Sequence, residues 1–312
     1  MSDARIAVLI PCYNEEAAIG KTVRDFRAAL PMAAIYVYDN NSKDQTAARA
    51  REAGAVVRLE TRQGKGNVVR RMFADIEADV YVLVDGDDTY DASAAPRLIR
   101  QLVDDGLDIV TGRRVHTDVA AYRPGHVLGN KLLTGLTALM FEVQLRDMLS
   151  GYRIMSRRFV KSFPFKAEGF GIETEMTVHS VRMLMPMVEV DTHYKERPPG
   201  SVSKLSTYKD GFRILVTIGT LVREERPLVF FGLLFAMFAA ASLALGFPVV
   251  LHFWRHHDVP RLPTAILSAV LMLLAFLSLF SGFILDTVTR GRWELKRLDY
   301  LAMPGPHDLK LP

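Results

Sequence analysis

Two stretches late in the chain, Leu228 to Leu251 and Leu262 to Leu285, each run 24 residues without a Lys, Arg, Asp or Glu. A helix of about 20 apolar residues crosses the hydrocarbon core of a bilayer, so both are read as transmembrane helices. As core helices of a soluble protein they would need a partner layer that the rest of the sequence does not supply. Lys209, Arg213, Arg223 and Arg226 precede the first stretch, and Arg290, Arg292, Lys296 and Arg297 follow the second. The segment between them holds only Arg255 and Arg261. The positive-inside rule then puts the large amino-terminal part and the carboxyl-terminal tail in the cytoplasm, with His252 to Arg261 outside. Trp254 and Trp293 stand where interfacial aromatic anchors belong.

With 312 residues, the chain has room for one substantial core plus an appendage. Charges are spread through the first two thirds and thin out in the last, so a soluble-type domain precedes the apolar part. The residues up to Arg5 lack an apolar run of signal-peptide length, and Ile6 to Ile10 is only strand-sized. The expectation is an integral protein of a bacterial inner (plasma) membrane. The single cysteine, Cys12, excludes an internal disulfide and fits a reducing compartment. A net charge of +4, concentrated near the spans, points to anionic lipid or phosphate and away from nucleic acid as partner.

From Arg5 onward, strand-like runs alternate with helical stretches. The runs are Ile6 to Ile10, Ile35 to Tyr38, Val56 to Leu59, Val80 to Val84 and Ile109 to Thr111. This pattern predicts an α/β domain with a mostly parallel sheet, whose ligands gather at the carboxyl ends of the strands. Polar or glycine-rich residues follow each of the first four runs: Pro11, Tyr13 and Glu15; Asp39 to Asp44; Gly64-Lys65-Gly66; and Asp85-Gly86-Asp87-Asp88. Val127 to Phe141 and Tyr208 to Val222 have amphipathic helical spacing and suit either a membrane surface or the sheet. The domain boundaries read from this are 1–204 for the α/β domain and 205–226 for a juxtamembrane amphipathic helix. A two-helix hairpin over 227–289 and a tail over 290–312 complete the chain.

The carboxylates Asp85, Asp87 and Asp88 close an apolar strand, where they would repel one another without a cation. Mg²⁺ or Mn²⁺ suits such oxygen ligands and bridges to a diphosphate. A solvated acidic turn that caps the next helix competes with this reading. An EF-hand does not, because counting from Asp85 puts Pro96 where its bidentate Glu belongs. Gly64-Lys65-Gly66 is no Walker A loop, since neither Ser nor Thr follows Lys65. Asp39 and Asp44 suit a base or ribose as well as an Asx turn and helix cap.

Taken in order at four strand ends, Pro11-Cys-Tyr-Asn-Glu15, Asp39-Asn-Asn-Ser-Lys-Asp44, Gly64-Lys-Gly66 and Asp85-Gly-Asp87 resemble the family 2 glycosyltransferases of the GT-A, Rossmann-like fold. Arg146-Asp147-Met-Leu-Ser150-Gly151-Tyr-Arg153 and Arg197-Pro-Pro-Gly200-Ser-Val-Ser203-Lys204 look like the dolichyl-phosphate mannose synthase and polyprenyl-phosphate glycosyltransferase branch. The resemblance implies a nucleotide-sugar pocket of Pro11, Tyr13, Glu15, Asp39, Lys65 and Asp85. It also implies a Mg²⁺ or Mn²⁺ site at Asp85 and Asp87, and phosphate contacts from Arg113, Arg197, Ser203 and Lys204. Many relatives carry Leu-Gln after the paired aspartates; here Asp88-Thr89-Tyr90 follows, and Asp88 is the candidate third oxygen ligand.

The implied reaction moves a sugar from a nucleoside diphosphate sugar to a polyprenyl phosphate with inversion. Asp87, Asp147 and Arg113 are the candidate catalytic groups, Asp147 as base or electrostatic partner, or else as a structural ion pair. Glu173 and Glu175, after a glycine pair, suit contact with the sugar or support of the site, with a structural role the reading preferred, and a surface charge is the competing reading for Arg114. A polysaccharide synthase would carry a Gln-x-x-Arg-Trp motif, whereas Trp293 follows Gly291-Arg292. A non-catalytic nucleotide-sugar-binding subunit is the other alternative, and homo-oligomerisation stays open.

Overall fold

The computed structural model describes residues 4–116, 146–164, 171–198, 219–220, 222–224 and 226–311. Ser203, Lys204, the amphipathic stretch 127–141 and most of 205–226 lie outside these residues. The chain divides into two compact units, Met1–Gly211 with Arg297–Pro312, and Phe212–Lys296.

In the first unit, runs rich in branched and aromatic residues form β1 (Ile6–Cys12), β2 (Ala34–Asp39), β3 (Val56–Leu59), β4 (Val80–Leu83) and β5 (Ile109–His116). Two further strands, β6 (Arg153–Ser156) and β7 (Met187–Tyr194), add to the five read from the sequence. All seven make one sheet in the order β3-β2-β1-β4-β6-β5-β7. β6 runs antiparallel to β4 and β5, and the other pairings are parallel. Every residue of β1 and β4 is buried, because a central strand covered on both faces has no solvent side to mark with polar residues.

The helices α1 (Ile19–Ala29), α2 (Thr46–Glu52), α3 (Lys65–Asp75), α4 (Ala95–Asp104), α5 (Arg157–Ser162) and α6 (Ile172–Arg182) fill the connections. α1 buries Ile19, Val23 and Phe26, and α4 buries Leu98, Ile99, Leu102 and Val103, each at the three- and four-residue spacing of one helix face. These side chains close over Ile6, Val8 and Ile10 of β1. Burial of each such side chain contributes about 1.5–3 kcal/mol. With β1 between β2 and β4, the connections leave it to either side, which opens a crevice at the carboxyl ends of these three strands.

The second unit holds most of two long helices, α7 (Pro227–His256) and α8 (Leu262–Leu301). Both are long and apolar enough to cross a membrane, and only 6% and 11% of their most apolar windows is buried. A helix from a soluble core is mostly buried. They touch where small residues face each other. Ser242 Oγ donates to Ser268 O at 2.7 Å, and a Cβ on Gly246 would meet Ser268 Oγ at 3.0 Å. α7 ends on His257, whose left-handed φ of 61° lets its N–H reach Phe253 O.

The last turn of α8 and the residues after it belong to the first unit. Tyr300 Oη donates to the fully buried Asp108 at 2.7 Å, and Asp108 also accepts from Ser156 Oγ and the Arg158 guanidinium. Arg158 lies over the Tyr300 ring, 4.7 Å from its centroid. Ala4 N donates to Lys310 O at 2.7 Å, and Leu309 and Leu311 pack on the core.

Candidate active site

The crevice is built by loops that tie one another down. After β1, Asn14 adopts φ 51°; its N–H donates to Ser42 Oγ, and its Oδ1 accepts from Lys43 N, both at 2.8 Å. Glu15 N donates to Thr46 Oγ1, so the first and second loops move as one piece. Pro11 is buried within β1 opposite Tyr38, Tyr13 is half-buried, and Glu15 is buried. Asp39, at the end of β2, accepts from Ser42 N through Oδ2, while its buried Oδ1 has no partner among the described residues. Asn40 then organises the third loop: Nδ2 donates to Glu60 O and Arg62 O, and Oδ1 accepts from Gly64 N. Gly64 takes φ 127°, a conformation closed to most side chains, and delivers Lys65 to the start of α3.

Lys65 Nζ lies 2.5 Å from Asp85 Oδ1 and 2.5 Å from Glu173 Oε1. Burial alone would lower its pKa, but the two carboxylates outweigh burial and hold the ammonium well above its usual range. Two residues on, the buried Asp87 accepts from Thr89 Oγ1 at 2.6 Å and meets Arg197 Nη2 at 2.7 Å. Burial, then the charge of Asp85, pushes the Asp87 carboxyl above the usual carboxylate range, against the pull of Arg197 and Thr89. Arg197 also approaches Glu15, at 3.9 Å. Asp88 departs from the expected third-ligand position: it takes φ 57° and pairs with Lys21 of α1 at 3.0 Å.

The Arg146–Arg153 segment forms the floor. Arg153 is fully buried and donates to Ser150 O, Met148 O and Thr177 Oγ1, fixing the loop that precedes β6. Desolvation lowers its pKa, which marks the cost of burying a guanidinium that, among the described residues, pairs with no carboxylate. Gly151 N donates to the buried Tyr90 Oη, and a Cβ on Gly151 would overlap the Asp85 carboxylate. Asp147 takes a two-pronged ion pair from Arg114, with Nε–Oδ2 at 2.8 Å and Nη2–Oδ1 at 2.6 Å, and also accepts from Arg114 N. Arg114 lies over the Tyr194 ring, which packs edge-on against Tyr90. Adjacent strand residues point to opposite faces, so Arg113 leaves this cluster and pairs with Asp191. The structure therefore brings Lys65, Asp85, Asp87, Arg197 and Glu15 together with Glu173 and does not bring Arg113 or Asp88 to them. The alternation of Arg113 and Arg114 on β5 was the available signal for choosing between them.

Among the described residues no group of three or more His, Cys, Asp and Glu converges as a metal site. Asp85 and Asp87 form a pair, and Mg²⁺ or Mn²⁺ in nucleotide sites takes one or two carboxylates and completes its shell with phosphate and water. Among the described residues, four carboxylates, Glu15, Asp85, Asp87 and Glu173, lie around Lys65 and Arg197. Carboxylate oxygens are the donors a hard divalent ion takes, so the donor set fits.

The sequence profile of glycosyl transferase family 2 matches residues 7–163. The chain belongs to this family. Within it, glycosyltransferase AglJ of Haloferax volcanii is 31% identical over 304 residues, 95% of this chain and 98% of its own. The dolichyl-phosphate hexose transferase of the same organism is 28% identical over 71% of this chain and 95% of its own. Protein RfbJ of Shigella flexneri is 57% identical over 122 residues, 39% of this chain and 95% of its own. Among solved structures, glucosyl-3-phosphoglycerate synthase from Mycobacterium tuberculosis, in complex with Mn²⁺, UDP-glucose and phosphoglyceric acid, has a TM-score of 0.57 at 22% identity, covering 69% of this chain and 79% of its own. That likeness is one of fold, and the family 2 member described here has the GT-A fold.

Proposed function

We propose that this chain is a metal-dependent, inverting hexosyltransferase that moves a sugar from a nucleoside diphosphate sugar to a polyprenyl phosphate, making a lipid-linked monosaccharide. One observation carries the reading. Asp85 and Asp87 meet Lys65 and Arg197 at the carboxyl end of the sheet, in a chain that also holds two bilayer-length helices. The alignment with AglJ over both parts, and the activity for which the dolichyl-phosphate hexose transferase is named, support it.

Asp39 Oδ1, without a partner among the described residues, suits an N–H of the base, and Pro11, Tyr13 and Glu15, at the end of the neighbouring β1 and in the loop after it, are assigned to the same pocket. Lys65 suits the diphosphate oxygens as a point charge, and Arg197 brings a planar fork to a phosphate. A divalent cation held by Asp85 and Asp87 would neutralise the charge that grows on the leaving diphosphate. Arg197, Ser203 and Lys204 are assigned to the acceptor phosphate. A phosphate monoester has a second pKa of about 6, so it attacks the anomeric carbon as a dianion and needs no strong base. A single displacement inverts the anomer. Both oxygens of Asp147 are engaged by Arg114, so we assign Asp147 to positioning. Arg113, paired with Asp191 at the surface, receives no catalytic role.

Lys and Arg outside the spans support a cytoplasmic catalytic domain. The packing of the tail on that domain supports both lying on one side of the membrane, with two crossings. The test uses membranes containing the protein, polyprenyl phosphate, Mg²⁺ or Mn²⁺ and a panel of UDP and GDP sugars, with Asp87→Ala as control. Lipid-linked product from one donor, lost with chelator and in the variant, is the expected result. Product only with phosphoglyceric acid in place of the lipid would move the acceptor to a soluble phosphate, as in the fold relative. Donor binding without product on any acceptor would favour a non-catalytic subunit.

A further inference from the structure

Each of the two central aspartates holds a cation, and behind each cation stands a second carboxylate. Lys65 bridges Asp85 and Glu173, and Arg197 bridges Asp87 and Glu15. Lys65 touches both of its carboxylates, whereas Arg197 lies 2.7 Å from Asp87 and 3.9 Å from Glu15. Glu173 is also firmly placed. It sits in the first turn of α6, its carbonyl accepts from Thr177 Oγ1, and Thr177 Oγ1 accepts from the buried Arg153. None of the roles assigned above uses this buried carboxylate.

Lys65 and a divalent ion compete for one carboxylate. Two cations on Asp85 repel, so the ion binds well only if the ammonium has another anion to lean on. Glu173 touches the same ammonium and supplies that anion. We propose that Glu173 is a positioning residue for metal binding: it retains Lys65 and thereby releases Asp85 to a divalent cation. This rests on the metal-dependent reading given above. It assigns Lys65 two tasks, a counter-charge on Asp85 and a contact to the donor diphosphate, with Glu173 holding the ammonium between them.

Mn²⁺ binding to the purified full-length protein in detergent, without donor, tests the inference by titration calorimetry or electron paramagnetic resonance. Lys65→Met is expected to bind Mn²⁺ more tightly than the unaltered chain, because the competitor is gone. Glu173→Gln is expected to weaken Mn²⁺ about tenfold when Lys65 is present, and far less in the Lys65→Met background, the coupling expected of residues in contact. Equal losses in both backgrounds would mean that Glu173 acts only as a nearby charge, and this would overturn the proposal. So would unchanged or weaker binding in Lys65→Met, a variant that leaves α6 untouched and serves if Glu173→Gln does not fold. If the unaltered chain binds no Mn²⁺, with or without UDP, the metal-dependent reading itself fails.

Discussion

Gly151 shows how little room the site leaves. A methyl group there would run into the Asp85 carboxylate, while the Gly151 N–H is already committed to Tyr90. Gly151→Ala should therefore displace Asp85. Displacements of about 1 Å cost on the order of a hundredfold in rate, so a turnover assay should fall by roughly that factor with the circular dichroism spectrum unchanged. Asp147 separates positioning from catalysis. Removing the charge of one partner of a mostly buried pair costs about 3 kcal/mol. Asp147→Asn should thus lower the thermal midpoint by up to about 10 °C. Pairing Asp147→Leu with Arg114→Met should restore most of it, which a catalytic base would not predict for stability. A loss confined to activity, with the midpoint unmoved, would return Asp147 to the role of base. Asp85, Asp87 and Lys65 were legible from the sequence because they follow apolar runs at strand ends. Glu173 and Arg114 were not, since their significance comes from partners 108 and 33 residues away.

At the scale of elements, the end of α8 and the residues after it are a structural part of the α/β domain. Tyr300, Arg158 and Ser156 gather around the buried Asp108 just before β5, at the sheet end opposite the active site. Tyr300→Phe deletes a hydrogen bond to a charged acceptor, worth about 1.5–3 kcal/mol, and should lower the thermal midpoint in detergent by several degrees. Faster hydrogen exchange at Ile109 and Val110 should accompany it. The sequence suggested only a basic cytoplasmic tail here, because a lone Tyr in a charged helix end carries no pattern that names its partner. β6 and β7 escaped sequence reading for a related reason. β6 has four residues, begins with a buried Arg, and shows no alternation, since both its faces are covered.

For the whole molecule, the arrangement in the membrane is checked with single cysteines. Cys12→Ser removes the only native thiol, and His257→Cys and Ala302→Cys place new ones in the inter-helix turn and in the tail. A membrane-impermeant maleimide applied to intact cells should label position 257 directly and position 302 only after permeabilisation. The reverse pattern would put the catalytic domain outside and remove its access to cytoplasmic nucleotide sugars.

Local pattern was enough for the two bilayer-length helices, five strands, the polar loops after the first four, and the carboxylates of the fourth. Each depends on residues close together in the chain: an unbroken apolar run, an apolar run ending in polar residues, a glycine where the backbone turns left-handed. Which oxygen faces which cation was settled elsewhere. Asp88 turned to Lys21, Arg113 went to Asp191 while Arg114 reached Asp147, and Glu173 closed on Lys65. Those outcomes depend on side-chain direction and on segments far apart in the chain. Folding brings such charges together, and in a poorly solvated crevice each must then find an opposite charge or leave.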